Sequence, residues 1–326
     1  MSGPAVAGIA AAALVLGGCQ GPPPAPPHTV YVTDEQANVV HVIDGASAKK
    51  VGEIKVGERP RGVSLSRDGR RLYVAASGDD RVEVIDLASR KVVDAIPTGP
   101  DPERFSLSPD GRTLYVANED DAKVSFIDIP SKTVSREVDV GGEPEGMATS
   151  PDGRWVICTS EAASLVHFIE ARTGKLAESV MVATRPRDAV FSPDGSRLWV
   201  TSEIGGAITV FDMATLKPIG LVDLQKSDPP KTPQAVGLVM TRAGDRVFVA
   251  MGRGDHVAEI DPKSLKVVRY FPSGSRNWGV ALSPDERRVY AASGLSSDLA
   301  VIDRRSGRRL KAVKLGGRPW GVVTTP

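Results

Sequence analysis

The sequence predicts an all-β fold, a seven-bladed β-propeller, from three signals that share one period. A Ser-x-Asp-Gly turn begins at Ser66, Ser108, Ser150 and Ser192, with degenerate copies at Thr241 and Ser283. An apolar or aromatic residue opens a short strand at Tyr31, Tyr73, Tyr115, Ile157, Trp199, Phe248 and Tyr290. An acidic residue closes the next strand at Asp44, Asp86, Asp128, Glu170, Asp212, Asp261 and Asp303. The spacing is 42 residues, with one interval of 49, and a period of about 40 is typical of a propeller blade.

Each repeat contains four short strands, which we call A to D from the channel outwards. In one unit they are residues 62–65, 72–75, 82–86 and 91–96. Their apolar residues alternate, as expected for strands buried on one face. The Ser-Pro-Asp-Gly segment suits the tight A–B hairpin, because Pro presets φ, Asp bonds nearby backbone and Gly tolerates a positive φ.

The two ends of the chain complete one blade. Residues 29–56 supply strands B, C and D without a preceding A, and residues 316–323 supply an A with nothing after it. We therefore expect the strand around Val322 to pair with the segment around Val30, which removes both free sheet edges.

The first 27 residues differ from the repeats. An uncharged apolar run over residues 5–18 ends in Leu-Gly-Gly-Cys, which predicts a signal peptide over residues 1–19. The ending resembles a bacterial lipobox, so Cys19 is the candidate lipidation site; the absence of Lys or Arg before the run leaves open that this Cys is incidental. We predict a Pro-rich linker over residues 20–27 and the propeller over residues 28–326. The predicted location is the periplasm, with an outer-membrane lipid anchor if Cys19 is acylated.

Composition restricts the partners. The chain has 326 residues and a formal net charge of +1, which predicts no nucleic-acid partner and contact with a membrane only through an N-terminal lipid. If Cys19 is removed or acylated, Cys158 is the remaining thiol and forms no intrachain disulfide.

Residues 115–118 (YVAN), the Gly57-x-x-Pro60-x-Gly62-Val63 step and the Ser-Pro-Asp-Gly turns resemble the YVTN family of β-propeller repeats over about 290 residues. Seven repeats, the secretion signal and the Gly-Arg-Pro-Trp-Gly-Val end resemble a narrower group, the β-propeller proteins associated with PQQ-dependent catabolism. That resemblance implies a periplasmic accessory of quinoprotein alcohol oxidation, found near a transport system. It supplies no catalytic residues.

The D–A loops should surround one mouth of the channel, where function on such a scaffold tends to lie. Two neighbouring blades place Trp278 and Trp320 beside Arg61, and two more place an acidic arc around Glu145. We therefore expect the channel mouth to be polarised, with a cationic and aromatic sector facing an anionic one. The candidate ligand-binding residues at this mouth are Arg61, Arg104, Glu145, Arg187, Asp188, Arg276, Trp278, Arg318 and Trp320.

Indole rings can stack on a flat anion, and guanidinium groups can pair with its carboxylates in bidentate fashion. PQQ fits this description and is the one cofactor that we consider, as a bound ligand. The alternative is that the Trp side chains pack on neighbouring strands and the charges are solvated. Arg104 and Asp188 stand where five other repeats have Gly. They either pair with charges across the mouth or contact a ligand.

Three other polar features of the sequence give no strong indication of a functional site. Residues 119–121 (Glu-Asp-Asp) offer carboxylates for a hard cation, although a solvated turn is favoured over a metal site. His41 and His167 lie three blades apart and cannot share a zinc or haem iron. The insertion over residues 226–234 either contacts a partner or is a tolerated surface loop.

Two functions remain. The first is a non-catalytic binding or accessory protein that recognises a periplasmic protein or a small anionic ligand. The alternative is an enzyme of lactonase type, since some propellers resembling this one hydrolyse sugar lactones. The sequence favours the first, because no nucleophile–base pair is evident among the mouth residues and no catalytic residue is assigned.

Overall fold

Seven four-stranded antiparallel sheets make up the computed structural model, which describes residues 27–326 together with Met1 and Gly3. The predicted all-β, seven-bladed propeller is confirmed. Apart from Met1 and Gly3, the predicted signal segment with Cys19 and residues 20–26 of the linker lie outside the described residues. No helix in the described part of the chain is long and apolar enough to cross a membrane.

The blades follow one another along the chain, each with its strands in sequence order from the channel to the rim. The first combines the C-terminal strand with the first three: β1 (Thr29–Asp34), β2 (Val39–Asp44), β3 (Lys49–Lys55) and β28 (Pro319–Thr324). The second contains β4 (Pro60–Leu65), β5 (Arg71–Ala76), β6 (Arg81–Asp86) and β7 (Lys91–Pro97), with a 3-10 turn at Ser77–Asp79. The third contains β8 (Pro102–Leu107), β9 (Thr113–Asn118), β10 (Lys123–Asp128) and β11 (Thr133–Asp139).

The remaining four blades repeat this order. They are β12 (Pro144–Thr149), β13 (Trp155–Ser160), β14 (Leu165–Glu170) and β15 (Leu176–Met181); β16 (Pro186–Phe191), β17 (Arg197–Ser202), β18 (Ala207–Asp212) and β19 (Lys217–Asp223); β20 (Leu238–Met240), β21 (Val247–Ala250), β22 (His256–Asp261) and β23 (Lys266–Pro272); and β24 (Asn277–Leu282), β25 (Arg288–Ser293), β26 (Asp298–Asp303) and β27 (Arg309–Lys314).

The A–B hairpins close as the turn chemistry predicts. In the third blade, Ser108 Oγ and the Arg112 N–H both donate to Asp110 Oδ1, at 2.6 and 3.0 Å. Gly111 adopts φ +71°, a conformation that Gly accepts without steric cost. The acidic residue that closes strand C has the same kind of role, since Asp128 Oδ1 accepts the N–H and the Oγ of Ser131. These two repeating carboxylates therefore stabilise turns.

The ring closes through β1 and β28. Val30 pairs with Thr324 and Val32 with Val322, so the predicted closure is confirmed. The Arg318 N–H donates to the buried Asp34 Oδ1 at 2.8 Å, and Asp34 also accepts the N–H groups of Gln36 and Ala37. The seam thus has side-chain hydrogen bonds in addition to its strand ladder.

The apolar core lies between adjacent blades. Tyr73 and Val84 of the second blade pack with Phe105 and Leu114 of the third in one buried cluster, and the other clusters repeat this arrangement. Cys158 is fully buried, and burial raises the pKa of its thiol. Each blade therefore depends on its neighbours for burial of its faces.

The insertion changes one blade locally. Residues 224–237 connect β19 to a β20 of three residues, whereas the other innermost strands have six. Ser227 hydrogen-bonds the Tyr270 hydroxyl, and Lys231 forms an ion pair with Asp255. The inserted segment is therefore tied to the sixth blade at two points, and its role as a partner contact stays a prediction.

Candidate functional site

Two faces of the disc matter for the site. The A–B and C–D turns lie on one, which we call the turn face. The B–C and D–A loops lie on the other, the loop face, where the two loop types of neighbouring blades hydrogen-bond to each other, as between the Glu119 N–H and the Asp101 carbonyl at 3.0 Å. The innermost strands run between the faces and line the channel.

The cationic and acidic sectors on the loop face interlock. Arg59 forms ion pairs with Asp101 and Glu103 of the next blade, and Arg61 pairs with both Glu103 and Glu35. Glu103 is fully buried. The expectation of a polarised mouth, with a cationic and aromatic sector facing an anionic one, is therefore corrected. Neighbouring blades bring the charges close enough to neutralise each other, because adjacent D–A loops are in direct contact.

Ion pairs between neighbouring blades also occur on another part of the ring. Arg187 is 4% exposed and lies against Glu161, with Glu145 at 3.4 Å and Glu203 at 3.6 Å. Arg276 reaches Glu203 from two blades away, at 2.6 Å. Burial raises the pKa of Glu145 despite the neighbouring Arg187 and Arg104. The charged side chains of this network are therefore engaged with one another.

The two predicted mouth tryptophans stack on each other. The Trp278 and Trp320 ring centroids are 6.1 Å apart at 24°. Arg276 lies 3.9 Å from the Trp278 centroid, and Arg104 lies 4.6 Å from that of Trp320. Because Trp320 is 1% exposed, its faces are occupied by protein groups. A flat ligand cannot stack on it without displacing them.

Arg104 and Asp188 meet at the centre of the channel. Arg104 Nη1 lies 3.1 Å from Asp188 Oδ2, and Arg104 Nε lies 3.9 Å from Glu145. Asp188 also accepts the N–H groups of Ala189 and Leu238, at 2.9 and 3.3 Å. Burial raises the pKa of Asp188 in spite of the adjacent guanidinium.

Arg104 and Asp188 replace a glycine that most blades need, because the inner strands of neighbouring blades approach each other closely at this position. A Cβ on Gly62 would lie 2.8 Å from the Glu103 carbonyl oxygen, and one on Gly321 would lie 2.7 Å from the Arg61 carbonyl oxygen. Most blades therefore exclude a side chain here. The two exceptions carry opposite charges that pair across the intervening blade.

Below this pair the channel widens into a cavity of about 920 Å³. Arg104, Asp188 and Trp320 form its inner end, which we call the channel floor, and the cavity extends to turn-face residues such as Arg67 and Pro151. The rest of its lining is mixed. It includes apolar side chains such as Val63, Leu65, Phe105, Leu107, Met147, Leu238, Met240, Val280 and Val322, hydroxyl groups such as those of Ser64, Ser106 and Thr149, and the side chains of Arg242 and Glu286. This size suits a small organic ligand.

A second, smaller cavity of about 360 Å³ opens on the loop face. Arg318, the last of the predicted mouth residues, lines it with Arg59, Arg61, Glu35 and Gln36. This cavity shares no lining residue with the large one, and Glu145, Arg187, Arg276 and Trp278 line neither of the two, so the predicted mouth residues do not form one site. Arg61 and Arg318 lie at the small cavity, whereas Arg104, Asp188 and Trp320 line the large one.

The acidic run after β9 does not gather on itself. Glu119 instead lies beside Asp101 and Glu103, with one carboxylate oxygen of each within 4.8 Å of the others. Burial and the Glu103 charge raise the pKa of Glu119 to about 8. At neutral pH this carboxyl therefore holds a proton. The sequence could not indicate the grouping, because Asp101 lies in a D–A loop, Glu103 in β8 and Glu119 in a B–C loop.

One Ser–His contact was missed by sequence reasoning. Ser160 Oγ lies 3.0 Å from His167 Nε2, and His167 Nδ1 lies 2.8 Å from Ser179 Oγ. Ser160 is fully buried, His167 is 2% exposed, and both also hydrogen-bond backbone atoms of Gly141. Burial lowers the pKa of His167 to about 4. Such a pair has no access to substrate and stabilises the fold.

Comparisons with known proteins agree on the architecture. Residues 29–152 match the model of the YNCE-like beta-propeller, and residues 182–314 match that of the lactonase, 7-bladed beta-propeller. No curated protein sequence matches the chain significantly.

Among solved structures, the periplasmic gluconolactonase of Pseudomonas aeruginosa is 21% identical with a TM-score of 0.78, covering 92% of this chain and 99% of its own. The hydrazine synthase of Kuenenia stuttgartiensis is 22% identical with a TM-score of 0.75, covering 89% and 99%. A protein from Lactobacillus plantarum is 15% identical with a TM-score of 0.79, covering 92% and 100%. At these identities the likeness establishes the fold. The chain is a seven-bladed β-propeller in which residues 29–152 are similar to the YNCE-like model and residues 182–314 to the lactonase model.

Proposed function

We propose that this propeller hydrolyses a small lactone at the channel floor, with Asp188 and Arg104 as its catalytic residues. The observation that carries the proposal is the replacement of the repeat glycine, in two blades only, by opposite charges that meet 3.1 Å apart at the end of the 920 Å³ cavity. Asp188 belongs to the segment that resembles the lactonase model. This supports the lactonase alternative over the PQQ-associated accessory role.

The two side chains have complementary chemistry for acyl transfer to water. A carboxylate whose pKa is raised by burial is a stronger base than an ordinary aspartate. A guanidinium in a partly dehydrated site stabilises developing negative charge. Side-chain exposures of 18% for Arg104 and 11% for Asp188 leave both partly accessible from the cavity.

In the proposed reaction, Asp188 accepts a proton from a water molecule whose oxygen bonds to the lactone carbonyl carbon. Arg104 balances the negative charge of the resulting tetrahedral oxyanion. The ring C–O bond then breaks, and the departing alkoxide takes the proton back from Asp188. The product is the open hydroxy acid, and the carboxylate is regenerated.

The test is proton release from a panel of γ- and δ-lactones, including glucono-δ-lactone, with the purified full chain. We expect Asp188→Asn to lower kcat at least about 100-fold, the size of a general-base contribution. Glu178→Gln on β15 is the matched control, because it removes an exposed carboxylate in the neighbouring blade and should leave the rate unchanged. Hydrolysis should decline on the acid side at a pH above the ordinary aspartate range of about 3.9. No hydrolysis of any lactone, or full activity of Asp188→Asn, would contradict the proposal.

A second candidate is reversible binding of a small anion such as PQQ. Its support is that Arg104 both lines the cavity and lies 4.6 Å from the Trp320 ring, so an anion bound there should change the fluorescence of that indole. Titration with PQQ checks this directly. An unchanged emission at high micromolar PQQ removes this candidate without affecting the lactonase proposal.

A further inference from the structure

The near-neutral chain separates its charges between the two faces. The turns on the turn face carry 15 Lys or Arg against 7 Asp or Glu. These counts cover the six A–B turns and seven C–D turns between described strands, residues 66–70, 108–112, 150–154, 192–196, 241–246 and 283–287, and residues 45–48, 87–90, 129–132, 171–175, 213–216, 262–265 and 304–308. The turn face therefore has an excess of eight positive charges.

The loop face has the opposite sign. Its connections carry 7 Lys or Arg against 13 Asp or Glu. The counts cover the described B–C loops, residues 35–38, 77–80, 119–122, 161–164, 203–206, 251–255 and 294–297, and D–A loops, residues 56–59, 98–101, 140–143, 182–185, 224–237, 273–276 and 315–318. Although the formal net charge is +1, the molecule therefore has one basic face and one acidic face.

The turn-face cations are available to a partner. Of the 15, 13 are exposed. Between residues 27 and 326, most of them have no carboxylate within ion-pair distance. The carboxylates in the A–B turns are engaged locally, as Asp68 is by the Ser66 hydroxyl and the Arg70 N–H. These cations belong to five of the seven blades, so they form a broad field rather than a stripe.

The chain enters the fold on this same face. Strand β1 begins at Thr29 and is the B strand of its blade. B strands run from the turn face to the loop face, so the segment before Thr29 lies on the turn-face side. The preceding sequence contains the uncharged apolar run of residues 5–18 and Cys19. If Cys19 carries the predicted lipid, that anchor would bring the basic face towards the lipid headgroups.

We propose that the turn face docks on an anionic lipid bilayer. One hydrophobic anchor and one polybasic surface are the two signals that stable, reversible membrane attachment requires, and each Lys or Arg close to an anionic surface adds to the attraction. A flat basic field distributed over five blades matches a planar lipid surface. The cavity then opens towards the bilayer interface. This inference is independent of lactone hydrolysis.

The test is sedimentation of the full chain, carrying Cys19→Ser to exclude acylation, with vesicles of phosphatidylglycerol and phosphatidylcholine or of phosphatidylcholine alone. We expect binding to the anionic vesicles at low salt, weakening as salt is raised. Substituting Arg70, Arg112 and Arg154 with Ser should lower the partition coefficient about tenfold or more. Ser196 occupies the equivalent turn position in the fifth blade, so the repeat already tolerates this residue.

The matched control removes three charges from the loop face by substituting Lys226, Lys231 and Arg253 with Ser. It should bind the anionic vesicles as the parent chain does. Equal losses in the two triple variants, or equal binding to neutral and anionic vesicles, would overturn the proposal. Retention on immobilised heparin without vesicle binding would also overturn it, in favour of a soluble polyanion.

Discussion

At the residue scale, the informative positions are those where one blade departs from the others. Arg104 and Asp188 could be found from the sequence, because alignment of the repeats shows a charge where Gly is usual. Their contact could not be found in this way. It spans a whole blade whose own repeat position is Gly146, where a Cβ would approach the Asp188 backbone to 2.9 Å.

His167 shows how burial of a single group links stability to pH. Its pKa is about 4 in the folded protein, against an ordinary value of 6.5. Between these two pH values the unfolded chain binds more protons, so stability is retained above pH 6.5 and is lost as pH falls towards 4.

We expect the parent chain to lose about 3 kcal/mol more of its unfolding free energy between pH 7 and pH 4 than His167→Thr does. Thr209 occupies the equivalent strand position in the fifth blade, which makes the substitution a matched one. Urea unfolding at both pH values measures the difference. Parallel pH profiles for the two proteins would show that the imidazole has no such role.

At the element scale, the strands and their order were predictable because the turns repeat their chemistry in every blade. The period of 42 residues placed strands within two residues of their observed ends, as for β4, predicted at 62–65 and found at Pro60–Leu65. The shortening of β20 was not predictable, since the insertion before it has no counterpart in the repeat. Its anchoring through Ser227 and Lys231 is a tertiary effect.

The closure seam offers a prediction at this scale. Asp34→Ala should destabilise the propeller by about 2–3 kcal/mol, because it leaves the buried His41 ring and the partly buried Arg318 N–H without their partner. Asp44→Ala, at the other end of the same hairpin, removes an exposed turn carboxylate and should cost about 1 kcal/mol or less. Thermal or urea unfolding compares the two. Equal losses would show that the seam hydrogen bonds add nothing.

At the scale of the whole molecule, composition predicted a neutral chain but not the distribution of its charge. The sign of each loop is readable in the sequence, yet its meaning depends on which loops share a face, and this follows only from the blade order. The same limit applies to the loop-face network. Arg187 and Glu161 were visible as charges, but their burial against each other comes from contact between adjacent blades.

The most direct test of the account is the rate of lactone hydrolysis by the double variant Arg104→Gly, Asp188→Gly. It restores the usual repeat residue in both blades, so the ring should fold with a similar melting temperature while kcat/KM falls at least about 100-fold. A folded double variant that hydrolyses the lactone as fast as the parent chain would contradict the assignment of the channel floor as the active site.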